Sequence, residues 1–315
     1  MQYRRLGRSG LKVSEVGLGS WLTYGRSVDE RTATDIIQRA FELGVNFFDT
    51  ANVYGRGAAE EVVGRALRDL PRDEFVLATK VFFPMGEKPN QSGLSRKHVL
   101  EQAEASLRRL GVDYVDLYQA HRYDTDAPLD EVLRAFDDLI RAGKVLYVGV
   151  SMWTGGQMME AHAVAERWGL DRIVSNQPVY NMLRRDIESD VIPTCEDLGV
   201  GQVVYSPLAQ GVLTGKYAGG EVPPGSRASQ PDKQGRFMSE YLSEDNLRRV
   251  AYLSPVAEQL GMSMAQLALA WCLRQSNVSS VICGASRVGQ IEDNAGASGR
   301  TIPADALNRI EDVLN

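Results

Sequence analysis

The sequence predicts an α/β fold: a closed (β/α)8 barrel of the TIM type, preceded by a β-hairpin and carrying one long loop after its seventh strand. Three observations predict it. Short apolar runs rich in β-branched or aromatic residues recur eight times along 315 residues, longer amphipathic segments separate them, and glycines stand where the helical segments stop. Continuously apolar short runs are the pattern of strands buried on both faces. Strands alternating with helices imply parallel pairing through right-handed crossovers, and eight such units favour closure over an open sheet.

In chain order, a hairpin is expected from Gln2–Leu6 and Leu11–Ser14 around Gly7–Gly10, seated across the barrel floor. The barrel strands follow as Val16–Gly19, Val45–Phe48, Val76–Thr79, Val115–Gln119, Val145–Val150, Ile173–Asn176, Val203–Tyr205 and Val281–Cys283. Gly44, Gly111, Gly143, Gly169, Gly199 and Gly261 each follow a helical run, where a residue without Cβ closes the helix in the left-handed region. Pro128 suits the first turn of a helix over Pro128–Ala142, and Ser263 with Gln266 forms a capping box opening Ser263–Gln275. The competing fold is an open doubly wound sheet with a dinucleotide fingerprint. Its nearest candidate, Gly17-Leu18-Gly19-Ser20-Trp21-Leu22, lacks the third glycine. The segment Ser206–Asp245 breaks the rhythm, spanning 40 positions with Pro223-Pro224, glycines 211, 215, 219, 220 and 225, and the cations Lys216, Arg227, Lys233 and Arg236. A long loop leaving the C-terminal end of a barrel strand points to function; a surface insertion is the plainer alternative.

A chain that is 43% hydrophobic buries one large core, expected here as a single domain over residues 1–315. The net charge is −6 and no Lys/Arg-rich stretch occurs, which argues against nucleic acid as a partner. A local cationic pocket for an anionic ligand is still compatible with that balance. Met1–Ser20 contains no apolar core of signal-peptide length, and no run approaches the roughly 18 apolar residues of a membrane span. Cys195, Cys272 and Cys283 lack the spacing of a zinc site or redox pair, and His98, His121 and His162 form no metal motif. The expectation is a metal-free cytoplasmic protein without membrane insertion, its thiols acting as small buried hydrophobes.

Polar residues at the C-terminal ends of barrel strands face the mouth, where barrel active sites lie. Asp49 follows the second strand and Tyr54 comes five residues later; Lys80 follows the third strand and His121 the fourth. A free tyrosine, with a pKa of about 10, is a poor acid near neutrality. A neighbouring ammonium lowers that value, a carboxylate holds the ammonium charged, and a histidine can hydrogen-bond a substrate oxygen. The set suits proton donation to a carbonyl oxygen, with hydride brought by a bound cofactor. Taken singly, Asp49 reads equally well as a loop cap, Tyr54 and Lys80 as packing or surface residues, and His121 as a satisfied core residue.

With these residues in view, the chain resembles the aldo-keto reductases. The resemblance rests on Asp49-Thr50-Ala51-Asn52-Val53-Tyr54-Gly55, Thr79-Lys80 and Leu117–Arg122, and extends from about Tyr3 to the C-terminus. Tyr205–Gly211, Leu213–Tyr217, Ser226–Ser229, Gln266–Arg274 and Val278–Ser286 resemble the branch containing the voltage-gated potassium-channel β-subunits and their bacterial relatives. The resemblance implies NADPH (NADP+) bound across the barrel mouth and a small-molecule carbonyl substrate. Tyr54 would be the proton donor, Lys80 would lower its pKa, Asp49 would pair with Lys80, and His121 would orient the carbonyl. Ser151 and Gln177 match residues that hold the nicotinamide carboxamide, Tyr205 the aromatic stacked on its ring, and Ser20 and Trp21 the rim of that pocket. Ser206, Pro207, Leu208, Gln210, Lys216 and Arg227 fall in the loop that grips the pyrophosphate and adenosine side. Gly284, Ser286, Gln290, Asp293 and Asn294 fall in the segment holding adenosine and its 2′-phosphate, beside a helix starting near Arg287.

The departures carry information. The channel β-subunits commonly have Asn where this chain has His121, so an enzyme is favoured over a redox-sensing subunit. Met152 stands where many relatives have Asn or Arg, removing a polar contact, and Asp293 stands where Glu is familiar. The chain enters the hairpin almost at once, so a channel-blocking N-terminal peptide is not expected. Relatives of this branch imply a homo-oligomer, a tetramer or octamer. Trp21, Tyr24, Phe82, Phe83 and Trp153 are expected to make the substrate pocket aromatic.

Overall fold

Eight parallel strands close on themselves among the described residues, with helices packed outside them. The computed structural model describes residues 1–25, 27–217, 222–223, 226–229, 238 and 240–315. Their elements are β1 (Tyr3–Arg5), β2 (Lys12–Ser14), β3 (Val16–Gly19), α1 (Glu30–Glu42), β4 (Phe47–Asp49), α2 (Ala58–Leu67), β5 (Val76–Val81), α3 (Arg96–Leu110), β6 (Val115–Ala120) and α4 (Leu129–Arg141). There follow β7 (Val145–Ser151), α5 (Gly155–Trp168), β8 (Ile173–Gln177), α6 (Val191–Leu198), β9 (Gly201–Tyr205), α7 (Glu244–Gln259), α8 (Met264–Leu273), β10 (Val278–Cys283), α9 (Val288–Ala295) and α10 (Ala304–Leu314). The barrel order is β3 to β10 in sequence, closed where β10 pairs with both β9 and β3.

All eight expected barrel strands form, several running further toward the mouth than their apolar cores suggest. β5 continues through Lys80 to Val81, and β7 and β8 include Ser151 and Gln177. The reason is the pleat. Side chains two apart share a face, so Val76, Ala78 and Lys80 follow one another up the same inner face, as do Phe47 and Asp49. The lower inner residues Phe47, Val76, Ala78, Leu117, Val203 and Ile282 form an apolar cluster; the polar positions above them extend the same rows. Gly17 and Gly19 belong to this interior. A Cβ at Gly17 would stand 2.8 Å from the Phe47 ring, and one at Gly19 would stand 2.5 Å from the Ile282 side chain. Close packing explains these glycines, and the open dinucleotide-binding sheet is overturned by the closed barrel.

The helix punctuation follows the expected chemistry. The six glycines expected after helices all take positive φ. Ser263 and Gln266 make the reciprocal capping box at the start of α8. Pro128 stands one place outside α4, as its N-cap, and α8 ends at Leu273 rather than Gln275. α4 buries Val132, Leu133, Ala135, Phe136 and Leu139 along one stripe, each larger side chain contributing about 1.5–3 kcal/mol by leaving water. Cys195, Cys272 and Cys283 are buried and unpaired. No helix among the described residues is long and apolar enough to cross a membrane.

The hairpin β1–β2 lies at the N-terminal ends of the strands. Leu6 and Val13 enter the interior apolar cluster, and Arg8 N donates to Gly199 O at 2.8 Å. Gly7, at φ +58°, is the tightest point of this seat: a Cβ there would lie 2.4 Å from Gly199 O and 2.7 Å from Gly201 N. Gly7→Ala is expected to cost about 2 kcal/mol of stability, from left-handed backbone and contact with main chain that cannot retreat. Gly10→Ala, with open space around it, is expected to cost less than about 0.5 kcal/mol. Urea denaturation midpoints of the two variants check the contrast.

Candidate active site

Three neighbouring strands bring the expected quartet together at the mouth. Asp49 ends β4, Lys80 lies near the end of β5, and His121 follows β6 directly. Tyr54 stands in the loop after β4, where left-handed Gly55, Arg56 and Gly57 reverse the chain. Lys80 is wholly buried. Its Nζ donates to Asp49 Oδ1 at 2.5 Å, to Thr50 O at 2.8 Å and to Tyr54 Oη at 3.3 Å. An ammonium has three donors and no acceptor, so these bonds use it fully. They also make the Tyr54 oxygen an acceptor on that side, leaving its O–H to point elsewhere.

Asp49 is held as firmly. Its Oδ2 accepts from Gln119 Nε2 at 3.1 Å and from Gln177 Nε2 at 3.0 Å, and Gln177 Nε2 also lies 3.2 Å from Gln119 Oε1. His121 is boxed by rings, edge-on to Tyr54 at 5.7 Å and to Phe83 at 4.8 Å between centroids. Its Nδ1 is buried with no partner among the described residues.

Burial dominates the protonation of this cluster. Burial, with the Asp49 charge adding to it, holds the Tyr54 phenol well above its ordinary range. This corrects the expectation of a lowered value: at rest the phenol keeps its proton. Burial also lowers the Lys80 ammonium, against the opposing pull of Asp49. The His121 imidazole lies well below its usual range through burial and the nearby Lys80 and Arg122 charges, so it is neutral.

The other expected residues divide into groups. Ser151 Oγ donates to Gln177 O at 2.8 Å, across the paired ends of β7 and β8. Ser20 is buried, with Oγ donating to Thr50 Oγ1 at 2.8 Å, and Trp21 meets Tyr205 edge-on at 6.2 Å. Ser206, Pro207, Leu208 and Gln210 form a tight turn after β9, where Gln210 Nε2 donates to Ser206 Oγ at 2.6 Å. Lys216 Nζ lies 3.0 Å from where a Cβ on Gly211 would stand, so glycine leaves that cation its place. Arg227 opens a short 3-10 turn; its side chain, together with Pro224, Gly219, Gly220, Gly225, Lys233 and Arg236, lies outside the described residues. Gly284 and Ser286 are exposed beyond β10. Ser286 N and Oγ both donate to Gln290 Oε1, at 2.8 and 3.2 Å, in front of α9. Asp293 faces the start of α8, accepting from Ser263 Oγ and Gln266 Nε2, and Asn294 is buried. Of the expected pocket aromatics, Tyr24 and Trp153 are core residues, both about 2% exposed. Trp21, Phe82 and Phe83 are half-buried near the mouth.

Backbone strain marks the same end of the barrel. Among the described residues, the non-glycine residues with positive φ are Leu22, Arg56, Asn90, Met152, Ser206, Ala209 and Gln210. Every one lies in a loop that leaves the C-terminal end of a barrel strand. Such conformations cost of order 1–3 kcal/mol each and cluster at functional sites. Met152, expected only to lack a polar contact, occupies one of them, with its sulfur 3.4 Å from Val179 N.

Three participants had no assigned role in the sequence reading: the Thr50 carbonyl, Gln119 and Arg122. A polar Gln119 two places after Leu117, on a strand face otherwise made by Val115 and Leu117, was the available signal. The Thr50 carbonyl had none, because every residue carries one.

His98 and His121 are both buried, and burial holds both below the ordinary histidine value. Below about pH 6.5 the unfolded chain binds protons that the folded chain refuses, so stability falls as pH drops through that value. His121→Asn removes one such group. Between pH 6.5 and 5, its unfolding free energy is expected to decline less steeply than that of the unaltered protein, by about 1 kcal/mol per pH unit. Urea titrations across that range check it; equal slopes would contradict a neutral, buried His121.

Comparison with known proteins agrees with this geometry. The family model described as the aldo/keto reductase family matches residues 15–315. A protein of Arabidopsis thaliana, described as a probable voltage-gated potassium channel subunit beta, is 45% identical over 320 residues, covering 100% of this chain and 97% of its own. A rice protein (Oryza sativa subsp. japonica) of the same description is 45% identical over 297 residues, covering 93% and 90%. A Schizosaccharomyces pombe protein, described as a putative voltage-gated potassium channel subunit beta, is 44% identical over 322 residues, covering 99% and 93%. With the barrel, the mouth cluster and these matches in agreement, the chain belongs to the aldo/keto reductase family.

Proposed function

We propose that this protein reduces aldehydes or ketones to alcohols with NADPH, with Tyr54 as the proton donor. The observation that carries this reading is the Tyr54 hydroxyl 3.3 Å from the buried Lys80 ammonium, with the His121 ring beside it. Bound NADPH supplies the hydride that goes to the carbonyl carbon. The chain's own residues supply the proton and the setting.

The Tyr54 oxygen accepts from Lys80, so its O–H is free to donate to the carbonyl oxygen as that oxygen gains charge. Donation leaves a phenolate, which the ammonium stabilises at close range. Asp49, held by Gln119 and Gln177, keeps the ammonium charged and in place. Neutral His121 hydrogen-bonds the same carbonyl oxygen and sets its direction. Hydride at carbon and the Tyr54 proton at oxygen together make the alcohol; a proton from solvent restores the phenol.

The mouth suits a dinucleotide. Tyr205 would stack on the nicotinamide with Trp21 and Ser20 at the rim of its pocket, and Ser151 and Gln177 would hold its carboxamide. Ser206, Pro207, Leu208, Gln210, Lys216 and Arg227 would hold the pyrophosphate and adenosine side. Gly284, Ser286, Gln290, Asp293 and Asn294 would hold the adenosine and 2′-phosphate; Gln290 Oε1 already accepts from the Ser286 N–H and hydroxyl, where an anion would accept. We place the protein in the cytoplasm as a single barrel unit, in a tetramer or octamer.

A second reading is an NADPH-binding, redox-sensing subunit, favoured by the descriptions of the relatives as channel β-subunits. His121, where the resemblance to the channel β-subunit branch implies Asn, favours catalysis. A stable protein partner recovered together with absent turnover would reverse this preference.

Two measurements test the proposal. Tyr54→Phe is expected to lower aldehyde-dependent NADPH oxidation by about 10²–10⁴-fold while the NADPH dissociation constant changes little; full turnover in the variant would refute the mechanism. Direct titration is expected to give tighter binding of NADPH than of NADH, because Lys216 and Arg287 favour the additional phosphate. Tighter NADH binding would overturn that choice.

A further inference from the structure

The arginine that follows His121 is not used by the mechanism. Arg122 Nη1 donates to His121 O at 2.6 Å, and its guanidinium carbon lies 5.3 Å from the centre of the Phe83 ring. Phe83 in turn packs edge-on against His121. The cation therefore stands at the rim, one ring outward from the imidazole. It also reaches the Tyr205 hydroxyl, and its positive charge acts on Tyr54, Lys80 and His121.

Most other half-buried arginines among the described residues have carboxylate partners; Arg134, which lies over the Trp168 ring on the outer helix α4, is an exception away from the mouth. Arg4 pairs with Glu15, Arg72 with Asp116, Arg109 with Glu60, and Arg274 with Glu188. Arg122 has no carboxylate within ion-pair distance among the described residues. A guanidinium carries five N–H donors in a planar fork matched to a carboxylate. A half-buried cation without a counter-ion, facing the site where substrate arrives, gains most from an anion delivered by the substrate itself.

We propose that Arg122 selects carbonyl substrates that carry a carboxylate, pairing with that group while the carbonyl lies between Tyr54 and His121. This rests on the carbonyl-reduction reading above and adds the substrate class. Arg122 acts as a specificity residue; the aromatic wall of Phe83 supports the guanidinium and contacts the apolar part of the substrate.

The test compares 4-carboxybenzaldehyde with its methyl ester, which differ in charge and little in shape, using NADPH consumption. The acid is expected to have a KM at least about tenfold lower than the ester. Arg122→Gln is expected to shift the acid-to-ester KM ratio by about tenfold or more, and Arg122→Lys is expected to recover part of it. Equal KM values in the unaltered protein, or a variant that raises both in proportion, would overturn the proposal and assign Arg122 to orienting His121 or Tyr205. Calorimetric binding of benzoate to the NADPH-loaded protein gives an independent readout. Benzoate binding weakened in Arg122→Gln without any aldehyde turnover would sustain the anion site and refute the reduction reading. No benzoate binding to the unaltered protein would refute the site.

Discussion

The constraint on which the mouth depends is the burial of one ammonium. Lys80 lies fully inside an apolar barrel, where removing a charge from water costs several kcal/mol unless every donor is met. Asp49, the Thr50 carbonyl and Tyr54 meet its three donors. Asp49 then needs partners of its own, which β6 and β8 supply through Gln119 and Gln177. Each bond requires a particular strand at a particular register, so the closed barrel is the condition for the ion pair. The pair in turn fixes where Tyr54 can present its hydroxyl.

The two ends of the barrel handle strain differently. At the floor, the hairpin buries Leu6 and Val13 against the lower interior residues and presses Gly7 onto β9. Apolar burial and backbone hydrogen bonds serve stability there. At the mouth, left-handed non-glycine residues, an unpartnered imidazole nitrogen and a half-buried arginine are retained. The left-handed residues and the buried imidazole nitrogen, which has no partner among the described residues, cost the resting protein stability. Their concentration at one end is what a site prepared for a ligand requires.

The Lys80 arrangement also changes how Tyr54 is understood. An adjacent ammonium alone would favour the phenolate, as simple charge pairing suggests. Burial and the nearby Asp49 charge outweigh it, so the resting phenol stays protonated. A donor that holds its proton at rest, beside a cation that stabilises the product of donation, suits carbonyl reduction better than a tyrosine already ionised.

Much of this was readable along the chain. Apolar runs, helix-ending glycines and the Ser263–Gln266 capping box are local signals, and local sterics and hydrogen bonding made them reliable. The eight strands and the residues of the quartet followed, because position just beyond a buried strand is itself a one-dimensional property. Other features depended on distance in space. Tyr24 and Trp153 looked like pocket aromatics and are core, since an aromatic residue after a strand can turn either way. Gly17 and Gly19 resembled part of a nucleotide fingerprint and instead make room for Phe47 and Ile282. The sequence by itself determined the barrel and the identity of the residues at its mouth, through periodicity and turn chemistry. Only the tertiary structure decided the protonation of Tyr54, the anchoring of Asp49 and the lack of a carboxylate partner for Arg122 among the described residues, because burial and charge pairing are set by neighbours from distant strands.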